Sequence, residues 1–415
     1  DLHSFPTRRS SDLADDTIEG NDMLNFFAPK ASLRTLGPGE HPRVTNMELF
    51  FDLVYVFTII QLSHFLLAHQ SIIGAVQAAT LFAAVWWAWN LTAWAANWIN
   101  PDHRAGRLFM IALMACALLM AVAAPYAFSE RAGLFAGAYI AMSLIRGGYM
   151  ALIFRGEVMG KNYAQLTVWS ILAAVFWIAG VLLPEQRLAL WIAAVAIEYA
   201  APYAGFWVPG LGGTPMETWP LKGIHLLERN QLIFIIALGE SILLLGGTLV
   251  KGGWSEASWL AAGIGFLLIV SLWWIYFVHT SEEGEHAFEH KSDADHARLA
   301  RAGLAYAHGI KVAGAIVVAV AIEEILAHPA DAVHSPNVLF AVTGPAIFLI
   351  GSALFLRTMA EKIPPSYIAA IAALCGWGLL AHALHATALM LGGGVLAILL
   401  CLAIAASFNR KETSA

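Results

Sequence analysis

The chain of 415 residues is 59% hydrophobic and only 13% charged, with a formal net charge of −6 and a mean hydropathy of +0.67. A soluble domain needs roughly a quarter of its residues charged, so a water-soluble fold of this composition would expose far more apolar area than water tolerates. The small, dispersed charge argues against nucleic acid as a partner, and Cys116, Cys375 and Cys401, each inside an apolar run, read as core hydrophobes and not as disulfide or zinc ligands.

Residues 1–13, DLHSFPTRRSSDL, have no periodicity and read as a translated sequencing-adapter fragment, outside any functional reasoning. The rest of 1–46 is polar and reads as a cytoplasmic leader. A helix needs about 20 apolar residues to cross the hydrocarbon core. Twelve such runs follow, near 47–68, 74–98, 107–127, 132–154, 164–183, 188–208, 230–250, 257–278, 303–326, 337–356, 366–386 and 391–408. They predict an all-α transmembrane bundle, with spans 1–6 in 47–208, a cytoplasmic linker at 209–229, spans 7–12 in 230–408 and a cytoplasmic tail at 409–415. The runs are continuous and lack the dyad alternation of a β-barrel.

The distribution of Lys and Arg orients these spans. With both termini inside, inner segments hold sixteen basic residues and outer loops only Arg131, Arg187 and Lys251. A bias of this size fits the positive-inside rule and predicts a multi-pass membrane protein with both termini cytoplasmic, whose first partner is the bilayer. Trp86-Trp87-Ala88-Trp89 in the second span and Trp273-Trp274-Ile275-Tyr276 in the eighth are 187 residues apart. Glu48 and Asp52 stand similarly to Glu228 and Glu240. A six-plus-six repeat is expected on that spacing.

Two segments carry a family resemblance. Arg43-Val-Thr-Asn-Met-Glu48-Leu-Phe-Phe-Asp52-Leu-Val-Tyr-Val-Phe, with Gln61-Leu-Ser-His64, resembles the first-span signature of the bacterial low temperature requirement A family. His225-Leu-Leu-Glu228-Arg229 through Gly239-Glu240-Ser241 resembles its seventh-span signature. The resemblance covers 41–408 and implies a multi-pass membrane protein linked by name to growth in the cold. A weaker likeness is to potassium channels built from two six-helix repeats, through Phe50-Phe51-Asp52. The arginine of that channel signature is replaced here by Asn46.

Charged groups inside spans are costly unless paired or hydrated, so each is a functional candidate. At about 100° per residue, Glu48, Asp52 and Tyr55 make one acidic stripe near the inner end of the first span. Glu48 and Asp52 also stand where the helix dipole favours anions. His64 lies nearer the outer end. Glu240, with Ser241 beside it and Gly239 open to close helix approach, is expected deep in the seventh span; Glu198 is expected deep in the sixth. Arg146, in the fourth span, is the candidate partner of Glu198, Asp52 or Glu240, and Lys311 lies in the ninth. Asn90, Trp94 and Asn97 share a stripe of the second span and are candidate pore-lining groups, against a plainer role in interhelical bonding and ring packing.

The inner segment 279–302 places His286 and His290 four residues apart among acids. A metal pair there competes with a simpler solvated, charge-mixed segment. No nucleotide, zinc-protease or hydrolase motif is present, so no cofactor or catalytic residue is assigned. Three functions remain. The first is a secondary transporter or ion channel using Glu48, Asp52, Glu240 and Arg146 on a small ion or solute. The second is a membrane sensor or scaffold in cold or envelope stress. The third is an intramembrane lipid-modifying enzyme using Glu240, Asp52 and His64.

Overall fold

Helix α1 (Asn46–Ala68) begins where the sequence supplies a capping box: the Thr45 hydroxyl accepts from the Glu48 amide, and the Glu48 carboxylate accepts from the Thr45 amide. After a short turn capped by Ser71 comes α2 (Ile72–Ala96), then α3 (Arg104–Ala123), α4 (Ala132–Ile153), α5 (Val158–Leu182) and α6 (Arg187–Ala200). The second half contains α7 (Gly223–Lys251), α8 (Glu256–Trp274), two short helices α9 (Glu282–His290) and α10 (Asp293–Leu299), then α11 (His308–Ala327), α12 (Ser335–Met359), α13 (Pro365–Ala383) and α14 (Ala388–Thr413). The computed structural model describes residues 29–34, 43–215, 218–251 and 255–413, the side chains of 29, 31, 240, 251, 293–294 and 408–413 excepted. The adapter-like segment 1–13 lies outside them.

Among the described residues there is no named strand, only isolated bridges such as Leu33 with Ile99. That is the expected all-α bundle: without water in the hydrocarbon core, a helix satisfies every backbone group within itself. Among the described residues ten helices are long and apolar enough to cross a membrane. Two of the twelve expected spans fall short for identifiable reasons. Helix α6 has 14 residues, because the chain turns at Pro202 and passes through Gly205, Phe206, Gly210 and Gly212 at positive φ. Helix α11 has the length but carries Lys311, Glu323 and Glu324.

The expected linker also differs. Residues 223–229, read from sequence as loop, are the first two turns of α7. Segment 279–302, read as a polar loop, is helical nearly throughout, with π-helical stretches at Ile275–Ser281 and Ala300–Ala307.

The order of neighbours repeats between halves. Helix α1 packs on α2 and α3, α3 on α4, α4 on α5, α5 on α6, and α6 on α2; likewise α7 packs on α8 and α11, α11 on α12, α12 on α13, α13 on α14, and α14 on α8. The halves meet where α1 contacts α7 and α11, and where α2 contacts the same two helices. The tryptophan clusters that suggested the repeat are not alike, however. Trp86, Trp87 and Trp89 are buried at this junction, whereas Trp273 and Trp274 are 38% and 42% exposed.

Helices α11 and α12 pack with their backbones in contact. A Cβ on Gly314 would stand 2.4 Å from the Phe348 nitrogen, and one on Gly351 would stand 2.6 Å from the Lys311 nitrogen. Small residues permit such approach in membranes. The close approach expected at Gly239 is absent: a Cβ there meets nothing within 4 Å. At that level α7 buries one face, with Ala237, Leu238 and Ser241, while Ile235, Ile242 and Leu243 are exposed. Gly314→Ala is therefore expected to destabilise the protein by about 1–3 kcal/mol through overpacking. Gly239→Ala should be neutral or gain up to about 1 kcal/mol of helix propensity. Thermal unfolding of both variants in detergent checks the contrast.

Candidate functional site

Five ionisable side chains meet at the junction of α1, α2 and α7. On α1, Glu48 and Asp52 stand one turn apart on a single face; on α7, His225 and Arg229 do the same. The two stripes oppose one another. Asp52 Oδ1 accepts from both Arg229 Nη2 and the Trp89 indole Nε1, the latter at 2.7 Å. Glu48 divides its oxygens. Oε2 accepts from Arg34 Nη2, the Thr45 amide and the Thr45 hydroxyl, each at 2.9 Å. Oε1 faces His225 Nε2 at 3.1 Å and Arg229 Nη1 at 3.8 Å.

All of these groups except Arg34 are fully buried, and Arg34 is nearly so. Outer contacts hold the cations in place. Arg34 Nε donates to the Ile99 carbonyl at 2.8 Å. The Asn97 amide nitrogen donates to the Lys222 carbonyl at 3.1 Å and lies 3.2 Å from His225 Nδ1, while its oxygen accepts from the Lys222 amide at 3.0 Å. The Arg229 guanidinium also stands 5.8 and 5.6 Å from the ring centres of Phe51 and Trp89, a cation–π geometry. The network is nonetheless incomplete: Asp52 Oδ2 and Arg229 Nε and Nη1 have no hydrogen-bond partner.

Glu48 thus both caps its helix and anchors an ion-pair cluster. Asp52 finds Arg229 rather than Arg146. His225 and Arg229 are functional candidates that sequence reasoning placed in a loop. Their spacing of four, matching that of Glu48 and Asp52, is the signal that could have found them.

The remaining sequence-predicted residues fall elsewhere. Arg146 is buried on α4, where Nη1 donates to the Ala88 carbonyl at 3.2 Å and the Thr92 hydroxyl at 3.3 Å. Glu198 is buried against the Tyr139 hydroxyl, which donates to it. Asn90 and Trp94 line a small cavity with Trp87, Tyr163, Phe206 and Trp219; its ≈ 20 Å³ has room for about one water. Asn97 is spent on Lys222 and His225. His64 is exposed and Ser241 is buried. The side chain of Glu240 lies outside the described residues, but its place on α7 is eleven residues past Arg229, about 16 Å along the axis. Asp52 and Glu240 therefore do not share a level in the bundle.

His286 and His290 are exposed and stacked, with ring centres 4.1 Å apart, and His290 Nδ1 lies 2.9 Å from the His286 carbonyl. Among the described residues no third ligand completes a metal group with them. The neighbouring acids are instead used in surface pairs, Lys362 with Glu283 and Lys291 with Glu361. The Ser292 hydroxyl and the Arg298 guanidinium hold the Asp295 carboxyl below its ordinary range.

Comparison with known proteins places both halves of the cluster in one family. Residues 43–404 match the family model for the bacterial low temperature requirement A protein. The chain is also 35% identical over 330 residues to an uncharacterized protein of Rhizobium meliloti, covering 79% of this chain and 80% of that one. No solved structure matches at a significant level.

Removing one partner of a buried ion pair leaves the other charge unmatched, at a cost of about 3–5 kcal/mol. Asp52→Asn and Arg229→Gln should each lower thermal stability accordingly. The double variant should lose clearly less than the sum, because no orphan charge remains. Unfolding temperatures of the four proteins in detergent form the cycle that checks this.

Proposed function

The chain belongs to the bacterial low temperature requirement A family, and from that premise we propose that it is a secondary transporter or ion channel gated at the α1–α7 junction. In this reading Glu48 and Asp52 on one side, and His225 and Arg229 on the other, form a lock between the two six-helix halves. The observation that carries it is the combination of full burial with incomplete pairing: the charges are sealed at the junction, yet Asp52 Oδ2 and Arg229 Nε and Nη1 lack a hydrogen-bond partner, Nη1 keeping only a 3.8 Å ion-pair contact to Glu48. A purely structural network tends toward full satisfaction, because each unmet buried group is costly. An unmet one can trade partners at small cost.

The chemistry of opening follows from the charges. A proton added to Asp52, or a cation bound at its free oxygen, cancels the attraction that holds Arg229. Arg229 then keeps only the longer contact to Glu48, and α7 is released from α1. His225 can take part, since its Nε2 faces Glu48 Oε1 at 3.1 Å and donates to it only while that nitrogen carries a proton. Glu240 and Ser241, farther along α7, stand on the route such a movement would uncover. Inner-end placement of the lock rests on the orientation that the basic residues favour.

A second reading, a membrane sensor or scaffold, is favoured by the sealing itself. No carboxylate of the cluster meets solvent in this conformation.

Flux separates the two. Protein in liposomes with internal pH and membrane-potential dyes is given proton and potassium gradients in turn. Wild type should conduct, Asp52→Asn and Arg229→Gln should each change the rate at least tenfold, and the exchanged pair Asp52→Arg with Arg229→Asp should recover part of it. An absence of flux in wild type under both gradients, with folded protein, would favour the sensor reading.

A further inference from the structure

Outside the lock, buried Arg146 and Arg187 bond carbonyl or hydroxyl oxygens, whereas among the described residues a third buried cation has only aromatic rings beside it. Lys311, on α11, is 1% exposed, and among the described residues no carboxylate lies within ion-pair distance of it. Its ammonium stands instead over two rings, 4.7 Å from the centre of Tyr276 and 3.7 Å from that of Phe355. Ring faces offset only part of what a desolvated ammonium loses.

The surroundings hold further donors that meet no anion. One turn before Lys311 on the same helix, His308 is fully buried among Trp86, Phe234 and Tyr276. Its Nδ1 lies 3.5 Å from the Tyr276 hydroxyl, and its Nε2 has no hydrogen-bond partner. With Nδ1 accepting from Tyr276, Nε2 carries the proton; the acceptor beside the ring is the neutral backbone carbonyl of Asn230, not an anion. Across the α11–α12 contact, Ser352 shares a stripe with Phe348 and Phe355 by its i+4 and i+7 spacing. Phe355 is the ring beneath Lys311, and Phe348 stacks on Phe234. The Ser352 hydroxyl is fully buried and also without a partner.

Backbone geometry marks the same place. Tyr276 belongs to the π-helical stretch Ile275–Ser281, and His308 directly follows the stretch Ala300–Ala307. Such wide turns cluster at functional sites. One carbonyl beside them, that of Ala305, is taken up by the Trp86 indole at 2.7 Å.

An ammonium, an imidazole N–H and a hydroxyl, all buried and none matched by an anion, lack one component: a negatively charged acceptor. We propose that Lys311, His308 and Ser352 form a binding site for a small monovalent carboxylate, separate from the lock. Donors arriving from two helices suit an anion with two acceptor oxygens better than a single-atom halide. The rings beside these groups, Phe234, Phe355 and Tyr276, favour an anion with a short carbon body.

Binding can be read without flux, so this inference and the transport reading fail independently. Purified protein in detergent is titrated with sodium acetate, sodium chloride and sodium gluconate at matched ionic strength, with thermal unfolding as the readout. Acetate should raise the melting temperature of wild type saturably, and chloride and gluconate should not. Lys311→Met removes the charge without leaving an orphan, so it should fold, and it should weaken the acetate effect at least tenfold. Lys311→Arg should keep much of the effect, and Ser352→Ala should weaken it. An equal acetate shift in wild type and Lys311→Met, or none in either, would overturn the site. Chloride acting as well as acetate would overturn the carboxylate assignment.

Discussion

The pairing of Asp52 with Arg229 is the constraint on which the arrangement of the two halves depends. Each residue is fully buried, and neither could remain ionised in a low-dielectric interior without the other. The pair therefore fixes the register of α1 against α7. Glu48 and His225, one turn toward the helix starts, extend the same register, and Arg34 closes the end. The capping box adds a further tie: the carboxylate that starts α1 is the one that meets His225. The local signal that begins the first helix and the tertiary contact that docks the seventh thus share one side chain.

From this junction a line of rings leads into the second half. The Trp89 indole that bonds Asp52 stacks on Trp86, with centres 4.9 Å apart, and Trp86 lies 5.7 Å from the His308 ring. Two buried polar centres, one balanced in charge and one carrying an unmatched lysine, are therefore separated by two indoles. Gly309 makes this approach possible, since a Cβ there would stand 2.4 Å from the Trp86 nitrogen. A change at either centre has a packed route to the other, a physical basis for coupling without an open channel between them.

Much of the fold was legible because composition and run length are strong signals in a membrane. The all-α class, the positions of most helices and the place of Glu48 and Asp52 on one stripe of the first helix follow from apolar runs interrupted by acids. What was not legible depended on partners distant in sequence. Arg229 reads as one more basic residue flanking a span, and only the tertiary fold shows it turned inward onto Asp52. Arg146 reads as an ion-pair partner, but α4 delivers it to the Ala88 carbonyl and the Thr92 hydroxyl. Asn97 reads either as pore lining or as an interhelical bonding group; the α2 helix ends at Ala96, and the amide takes the second role, bonding Lys222 and lying beside His225. The short α6 and the charged α11 fall below the length or apolarity of a membrane span, which run length in the sequence does not reveal.

If cancelling the Asp52–Arg229 attraction opens the α1–α7 contact, the two helices move apart. Spin labels at the exposed positions Leu53 and Ile235, in a background with Cys116, Cys375 and Cys401 replaced, report that separation by pulsed electron resonance in liposomes. A single short distance in wild type, with a second and longer one populated in Asp52→Asn, is the predicted result. An unchanged distance distribution in the folded variant would contradict the lock and leave the cluster a static tie between the halves.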